Sequence, residues 1–252
     1  MSIYAVSDLH GQYDLFLQGL DVIGFSDGDH LWVLGDVIDR GKDGIKILQY
    51  ILKHDNIDLI LGNHEFMMLN SVHPGGQPVC TGDDENLWLH SNAGNRTFRE
   101  YRRLIIGTRK LLLSWLKSRY VIKTVRVGDT DFCLTHSFYK ESCKNMTYAE
   151  LEYGDVWSVV WSSIWREDEY TRALDIYPDY DYTFISGHVP VQSVRRFQNP
   201  IGDWNQLKAV THGNLVNIDG GCAFGRSEDI NNGAIFLRLD DMREFPVEMK
   251  KG

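Results

Sequence analysis

The sequence has little cysteine, and the cysteines it has form no recognisable motif. Only 4 cysteines occur in 252 residues, and none of them belongs to a C-x-x-C pair. This spacing argues against a disulfide framework or a paired-thiolate metal motif. The N-terminus also has no apolar segment of the kind found in signal peptides. We therefore expect a protein of a reducing compartment, with the cytoplasm as the default location.

Long hydrophobic runs are absent as well. The most apolar helical stretch, LIIGTRKLLLSWL at 104–116, is interrupted by Arg109 and Lys110. A transmembrane helix needs about 20 predominantly apolar residues. We therefore interpret this stretch as a core helix, and we expect no membrane as a partner.

Basic charge is in short supply. The 26 lysines and arginines are outnumbered by 35 aspartates and glutamates, which gives a formal net charge of −9. A general nucleic-acid binder carries a basic face, so this balance argues against nucleic acid as a partner. It still permits an anionic substrate, because a bound metal ion can reverse the local field.

What the sequence does contain is an ordinary globular composition, with 43% hydrophobic and 24% charged residues. Its first 70 residues repeat one arrangement, in which short apolar runs at 3–7, 30–35 and 57–62 alternate with amphipathic stretches at 13–24 and 43–54. Continuous apolar runs are typical of strands that are covered on both faces. The pattern predicts a β-α-β-α-β unit with a parallel sheet.

The rest of the chain changes towards β structure. A Gly- and Asn-rich stretch at 73–108 is interpreted as a loop-bearing insertion, and a helix is predicted at 109–119. Further strands are predicted at 120–128, 130–137, 182–188, 214–220 and 233–241. Because we find no linker or repeat, we expect a single α/β domain over 1–252, with two layers of sheet enclosed by helices.

Polar side chains follow each of the three early strands, in the motifs SDLHG, GDVIDRG and GNHE. The carboxyl ends of parallel strands meet at one edge of a sheet, where open α/β proteins bind their ligands. In extended backbone, residues two apart share a face, so Asp8 and His10 can bind the same object. Oxygen and imidazole ligands without thiolate indicate a cation, with Mn²⁺, Fe and Zn²⁺ all suitable.

These three motifs, in this order and spacing, resemble the signature of the phosphoprotein phosphatase family of dinuclear metallophosphoesterases, including its bacterial and phage serine/threonine phosphatases. Arg40, Gly41 and Glu65 narrow the resemblance to the phosphatase branch. The family's later landmarks resemble three further segments: LTHSFY (134–139), SGHVP (186–190) and NIDGGCAFG (217–225). The resemblance implies a central β-sandwich of two mixed sheets flanked by helices, with the early β-α-β-α-β unit carrying the site.

The resemblance also implies two divalent metal ions bridged by Asp36, most simply manganese, with iron or zinc as alternatives. The implied ligands are Asp8, His10 and Asp36 for one metal, and Asp36, Asn63, His136 and His188 for the other. A shared carboxylate holds two cations roughly 3.5–4 Å apart, the spacing used for in-line displacement at phosphorus. His136 lies in T-H-S where many relatives have H-G-G or H-A.

Catalytic roles follow for three residues of the same motifs. The planar guanidinium of Arg40 can bind phosphate oxygens bidentately, and Asn63 is assigned to phosphate binding beside it. By the family pattern His64 would protonate the leaving oxygen, and Asp39 would orient and charge the His64 imidazole.

A second phosphate-binding arginine is less clearly encoded. Many bacterial relatives carry W-x-R, but here the position after Trp161 that matches the arginine is Ser163. Arg166 either takes over phosphate binding or pairs on the surface with Glu167 or Asp168. Five aromatic residues could line a substrate groove or pack in the core: Trp88, Tyr101, Trp157, Trp161 and Trp165.

The leading functional expectation is a metal-dependent serine/threonine protein phosphatase, which attacks phosphomonoesters directly with a metal-bridging water or hydroxide. Its partner would be a phosphorylated protein or peptide. The alternative uses the same site on a dinucleoside polyphosphate, such as diadenosine tetraphosphate, or on another small phosphate ester. A non-catalytic binding module is disfavoured, because every expected ligand type is present. The motifs GDVIDRG and GNHE favour the protein phosphatase.

Overall fold

The computed structural model describes residues 1–82, 84–166, 173 and 177–250, and the described residues form two five-stranded sheets. In chain order the strands are β1 (Ile3–Val6), β2 (His30–Val33), β3 (Ile57–Leu59), β4 (Ile122–Val127), β5 (Thr130–Thr135), β6 (Thr183–Ser186), β7 (Val210–His212), β8 (Leu215–Asn217), β9 (Gly233–Arg238) and β10 (Arg243–Glu248).

Both sheets are mixed. The first has the order β10-β9-β1-β2-β3, with β1, β2 and β3 parallel and β9 antiparallel to its two neighbours. The second has the order β4-β5-β6-β8-β7, with a parallel centre of β5, β6 and β8 and an antiparallel strand at each edge. The parallel strands of each sheet therefore end together at one edge.

Seven α-helices of the described residues flank the sheets. They are α1 (Tyr13–Val22), α2 (Gly44–Leu52), α3 (Asn63–Ser71), α4 (Asn95–Arg103), α5 (Ile106–Lys117), α6 (Tyr153–Trp161) and α7 (Val191–Gln198). Helix α1 packs on β9 and β10 through Leu15, Phe16, Gly19 and Leu20, which lie on one helical face. Among the described helices, none is long and apolar enough to cross a membrane.

The predicted fold class is confirmed, since two mixed sheets are flanked by helices and the early unit runs β1-α1-β2-α2-β3. The prediction of a single domain stays a prediction. The stretch at 73–108 is more ordered than expected, because it contains a π-helical turn at Leu87–Ser91 and helix α4. Only Thr97 and Tyr101 of α4 are buried, so the hydrophobic period that reveals a helix is missing there.

Helices α3, α6 and α7 and strands β7 and β10 were not predicted at all. Strand β10, REFPVE, lies at the edge of its sheet, carries charged residues at both ends and contains Pro246. Charge and proline are tolerated on an edge strand, where they remove the apolar pattern by which strands are recognised. The predicted helix at 109–119 begins earlier, at Ile106.

Gly19 allows α1 to approach β9 closely, and this contact predicts an unusual result for a helical glycine. A Cβ at position 19 would overlap with the ring of Phe236, whereas a Cβ at Gly107 in α5 has nothing within 4 Å. We expect Gly19→Ala to lower the free energy of unfolding by about 1–3 kcal/mol through overpacking. The control Gly107→Ala should raise it by about 0.5 kcal/mol. Denaturant unfolding of both variants measures this, and stabilisation by Gly19→Ala would contradict the packing.

Candidate metal and phosphate site

The loops after β1 and β2 run side by side and are joined through their backbones. The amides of Asp8, His10 and Gly11 donate to the carbonyls of Gly35, Asp36 and Val37 at 3.2, 2.9 and 2.8 Å respectively. A Cβ at Gly41 would overlap with the carbonyl oxygen of His10, so the close approach of the two loops requires glycine there. The two motifs SDLHG and GDVIDRG thus form one unit at the sheet edge.

Six expected site residues lie in left-handed backbone, where non-glycine residues are uncommon. Their φ angles are 53° for Asp8, 42° for His10, 53° for Asp36, 67° for Asp39, 60° for Arg40 and 68° for His188. Such conformations persist only where the surrounding structure enforces them, and they cluster at functional sites. They turn the chain sharply after each strand, so that side chains from three strand ends face one volume.

Glu65 is the residue that holds the Asp36 loop in place. Its side chain is fully buried, and its two oxygens accept four backbone hydrogen bonds. Oε2 accepts from the amides of Asp36 at 2.8 Å and Gly62 at 3.2 Å, and Oε1 from those of Val37 at 3.0 Å and Ile38 at 3.3 Å. One carboxylate therefore connects the start of α3 to the loop after β2.

One cluster of donor atoms is formed by Asp36, Asn63, His136 and His188. His136 Nδ1 donates to the carbonyl oxygen of Leu34 at 2.8 Å, which directs Nε2 towards the other donor atoms. That Nε2 lies 3.0 Å from Asn63 Oδ1, 3.1 Å from His188 Nδ1 and 3.5 Å from Asp36 Oδ2. A convergence of imidazole nitrogens, an amide oxygen and a carboxylate oxygen suits a divalent cation.

A second cluster shares Asp36 and lies beside the first. His10 donates through Nδ1 to the carbonyl of Ile38 at 3.1 Å, which leaves Nε2 at 3.8 Å from Asp36 Oδ2 and 4.0 Å from Asp8 Oδ1. The Oδ2 of Asp8 is used within the protein, because it accepts from Ser7 Oγ and from the His188 amide. His64 Nε2 also approaches Asp36 Oδ2, at 3.8 Å. His10, Asp36 and His64 thus form a further group with the spacing of metal ligands.

The carboxyl and imidazole groups of the two clusters are largely buried, and little positive charge lies nearby to balance the carboxylates. Burial raises the pKa of Asp36 well above its usual value, and the nearby carboxyls of Asp8 and Glu65 add to the shift. Burial likewise lowers the pKa of His10 and His188 well below the usual range, so both imidazoles are neutral and able to bind a metal. Divalent cations would supply the missing charge, so the donor set fits the dinuclear metal site of this kind of fold.

His64 and Asp39 form a buried pair above the clusters. His64 Nδ1 lies 2.6 Å from Asp39 Oδ2, and the same oxygen accepts from Trp88 Nε1 at 2.8 Å. The Asp39 amide donates to Thr97 Oγ1 at 2.9 Å. Trp88 and Thr97 belong to the 73–108 stretch, which therefore holds the pair in position. This role was not predicted from the sequence, although a tryptophan in a polar Gly- and Asn-rich stretch is a signal for it.

An open cavity of about 280 Å³ lies over the site. It is lined by His10, Asp36, Asn63, His64 and His188, and also by Arg40, Arg166 and Trp161. Arg166 approaches His188, with 3.4 Å between a terminal guanidinium nitrogen and Nε2. Its alternative partners Glu167 and Asp168 lie outside the described residues. A larger cavity of about 490 Å³ between α3 and α6 is lined by none of the expected site residues.

The five aromatic candidates separate into two groups. Trp88, Tyr101 and Trp165 are buried, so the core interpretation holds for them. Trp157 is 37% exposed, and Trp161 is half-buried beside the cavity. Ser163, which takes the place of the arginine in W-x-R, is fully buried and accepts from the Trp165 amide at 3.1 Å. The chain thus places Arg166, and not residue 163, at the cavity.

Comparison with known proteins identifies the family to which this fold and this site belong. Residues 1–192 match the model of the calcineurin-like phosphoesterase family. The chain belongs to this family. It is therefore a metallophosphoesterase-type hydrolase, and the expected dinuclear site for divalent metals agrees with the family, although the metal is not specified by it.

Relatives that match over the full length correct the expected function. A Chromobacterium violaceum protein is 38% identical over 98% of this chain and 95% of its own length. A Nitrosospira multiformis protein is 27% identical over 100% of this chain and 98% of its own length. Both are named symmetrical bis(5′-nucleosyl)-tetraphosphatases. The prediction of a serine/threonine protein phosphatase is therefore wrong, and so is the prediction of a phosphoprotein or phosphopeptide partner.

The physical reason for that error lies in the motif residues themselves. Glu65 narrows the resemblance to protein phosphatases, but its carboxylate binds backbone amides of the Asp36 loop and of Gly62. A Cβ at Gly41 would overlap with the carbonyl oxygen of His10 in the first loop. Both residues therefore hold the loops in place, and such contacts do not distinguish one phosphoester substrate from another.

Solved structures support the fold alone, because their sequences are distant. A metallophosphoesterase from Sphaerobacter thermophilus has a TM-score of 0.57 and 17% identity, and the match covers 100% of this chain and 90% of that one. A mutant cold-active protein tyrosine phosphatase has a TM-score of 0.55 and 18% identity, covering 98% and 80%.

The Glu65 contacts predict that the carboxylate cannot be replaced by an amide. Glu65→Gln keeps the shape but turns an NH₂ group towards backbone N–H donors. We expect the free energy of unfolding to fall by about 1–3 kcal/mol, as for other buried groups left unpaired. Metal affinity should fall with it, because the Asp36 loop loses its support. The control is Glu150→Gln, which alters an exposed carboxylate bonded to the Thr147 amide at 2.8 Å. Equal effects of the two variants in denaturant unfolding and metal-binding calorimetry would contradict the role.

Proposed function

We propose that this protein hydrolyses a dinucleoside tetraphosphate symmetrically, giving two nucleoside diphosphates. The observation that carries the proposal is the Chromobacterium relative, because 38% identity extends over nearly the whole of both chains. The cavity supports it as well, since its lining brings Arg40 and Arg166 next to the clusters of metal-ligand atoms.

We propose that Asp8, His10 and Asp36 hold one metal, and that Asp36, Asn63, His136 and His188 hold the other. Manganese is our first choice, as the resemblance implies, and iron and zinc suit the same oxygen and imidazole ligands. Two divalent metal ions, when bound, neutralise charge on the phosphate oxygens and make water acidic enough to act as a nucleophile near neutral pH. The close approach of Asp36, Asn63, His136 and His188 supports the second set, and for the first set Asp8 Oδ1 lies 4.0 Å from His10 Nε2.

The two arginines that line the cavity supply positive charge in a protein that is acidic as a whole. The substrate carries several negative charges, whereas the protein itself has a formal net charge of −9. Arg40 and Arg166 line the cavity from different loops, and each guanidinium can bind two phosphate oxygens at once. We propose that they position adjacent phosphates of the chain, with Asn63 contributing at the metal side.

Protonation of the leaving oxygen by His64 matters less for this substrate than for an alkyl phosphate. Burial lowers the pKa of His64 well below its usual value and raises the pKa of Asp39 to about 7. Because His64 Nδ1 faces Asp39, a proton donated to the leaving oxygen would come from Nε2, with Asp39 orienting the ring. A nucleoside diphosphate leaves as a stable anion, so protonation contributes less to the rate than it would for an alkoxide.

Product analysis tests the proposed reaction directly. Purified protein loaded with Mn²⁺ should convert diadenosine tetraphosphate to ADP alone, as measured by ion-exchange chromatography. Removing metal with EDTA should abolish turnover, and Mn²⁺ should restore it, because the donor clusters require a cation. Release of AMP and ATP in equal amounts would contradict symmetrical cleavage, and absence of turnover with every divalent metal tested would contradict the proposal as a whole.

The shared position of Asp36 predicts how the metal content responds to substitution. Asp36→Asn removes a charge that both cations would share, so we expect loss of metal from both sites and nearly all activity. Asn63→Ala should lower the occupancy of one site only. Mass spectrometry of the native proteins measures the metal content, with Asp131→Asn on the exposed surface as a control. Two retained metals in Asp36→Asn would rule out the bridging role.

A further inference from the structure

Helix α6 carries three stacked aromatic rings on one face, at positions 153, 157 and 161. The ring centroids of Tyr153 and Trp157 are 6.0 Å apart with planes at 22°, and those of Trp157 and Trp161 are 5.2 Å apart at 30°. We call these three residues the aromatic ladder. Because residues four apart lie on the same helix face, the ladder runs along the helix for about 12 Å.

One end of the ladder belongs to the cavity. Trp161 lines the cavity together with Arg40 and Arg166, and its ring lies edge-on to that of His188 with 6.2 Å between the centroids. The ladder therefore begins beside the proposed metal and phosphate site and leads away from it.

The other end of the ladder is exposed but held in place. Tyr153 is 46% and Trp157 is 37% exposed, although large aromatic rings usually contribute to a core. Phe66 supports them from within the protein, at 5.0 Å from the Tyr153 ring and 6.2 Å from the Trp157 ring. The Tyr153 hydroxyl donates to Asp84 at 3.1 Å. A contiguous exposed apolar patch that is rigid before binding is typical of a recognition surface.

We propose that the aromatic ladder binds a nucleobase of the substrate, stacked on the ring surface that the offset between neighbouring rings leaves exposed. This inference rests on the proposed function, in which a base is joined through a ribose to the phosphate chain held in the cavity. A base is flat and uncharged, which suits contact with exposed aromatic rings. The ladder starts at Trp161, beside the two arginines that are proposed to bind the phosphate chain. Stacking tolerates any base, because every base offers a π-face. We therefore expect adenine and guanine dinucleotides to be accepted with similar affinity.

Substitution of the middle ring tests the ladder. Trp157→Leu should raise KM for diadenosine tetraphosphate about tenfold, in line with the contribution of one base stacked on an aromatic side chain. The inhibition constant of inorganic tetraphosphate, which has the phosphate chain but no base, should change much less. Trp157→Phe should recover most of the loss, because it keeps a ring. Trp115→Leu, which removes a half-buried tryptophan of α5 contacted by Arg119, is the control for general effects.

The outcomes separate the ladder from the reaction. If the wild type cleaves diadenosine tetraphosphate and Trp157→Leu changes both ligands equally, the ladder proposal is overturned and the proposed function stands. If the wild type does not cleave it, the proposed function fails, and calorimetry with ADP decides the ladder: weaker binding to Trp157→Leu supports it and equal binding overturns it. Unchanged ADP binding together with weaker binding of an aromatic peptide would assign the surface to a peptide, which also overturns the proposal.

Discussion

The buried carboxylate of Glu65 is the contact on which the site depends. It gathers four backbone amides, three from the loop after β2 and one from the start of α3. That loop in turn carries the amide and carbonyl groups along which the loop after β1 is aligned. Three strand ends, separated by more than fifty residues of sequence, are thereby fixed relative to one another. The left-handed backbone at Asp8, Asp36 and Asp39 persists because these contacts enforce it.

A site fixed in this way brings together groups that repel in the absence of a cation. Asp36 lies near Asp8 and Glu65 in a water-poor interior, and burial with these neighbours raises the pKa of its carboxyl. The ring nitrogens His136 Nε2 and His188 Nδ1 lie 3.1 Å apart. A rigid loop network is what allows such an arrangement to exist before the metal binds, and the cost in stability is recovered when the charge is neutralised.

The parts of the molecule that could be predicted from sequence are those with a local signal. Strands β1 to β3 appeared as continuous apolar runs, and the residues after them, from Asp8 to His64, meet as expected because parallel strands end at one edge. The contacts of Trp88 and Thr97 with Asp39 could not be predicted, because they join positions about fifty residues apart through a stretch without periodicity. Helix α4 could not be predicted for a related reason, since its two buried residues are too few to give a hydrophobic periodicity.

The substrate was predicted wrongly because the most specific motifs contain residues that maintain the geometry of the site. Gly41 and Glu65 hold the loops of the site in place through backbone contacts, so their presence says little about the group attached to phosphorus. Residues that differ between substrates must contact the parts of the substrate beyond the reacting phosphate. In this chain the cavity is also lined by residues on elements that the motifs do not include: Arg166, and Trp161 of α6, on which Trp157 stacks. Specificity is therefore to be sought in the segment between β5 and β6, for which the sequence predicted no helix or strand.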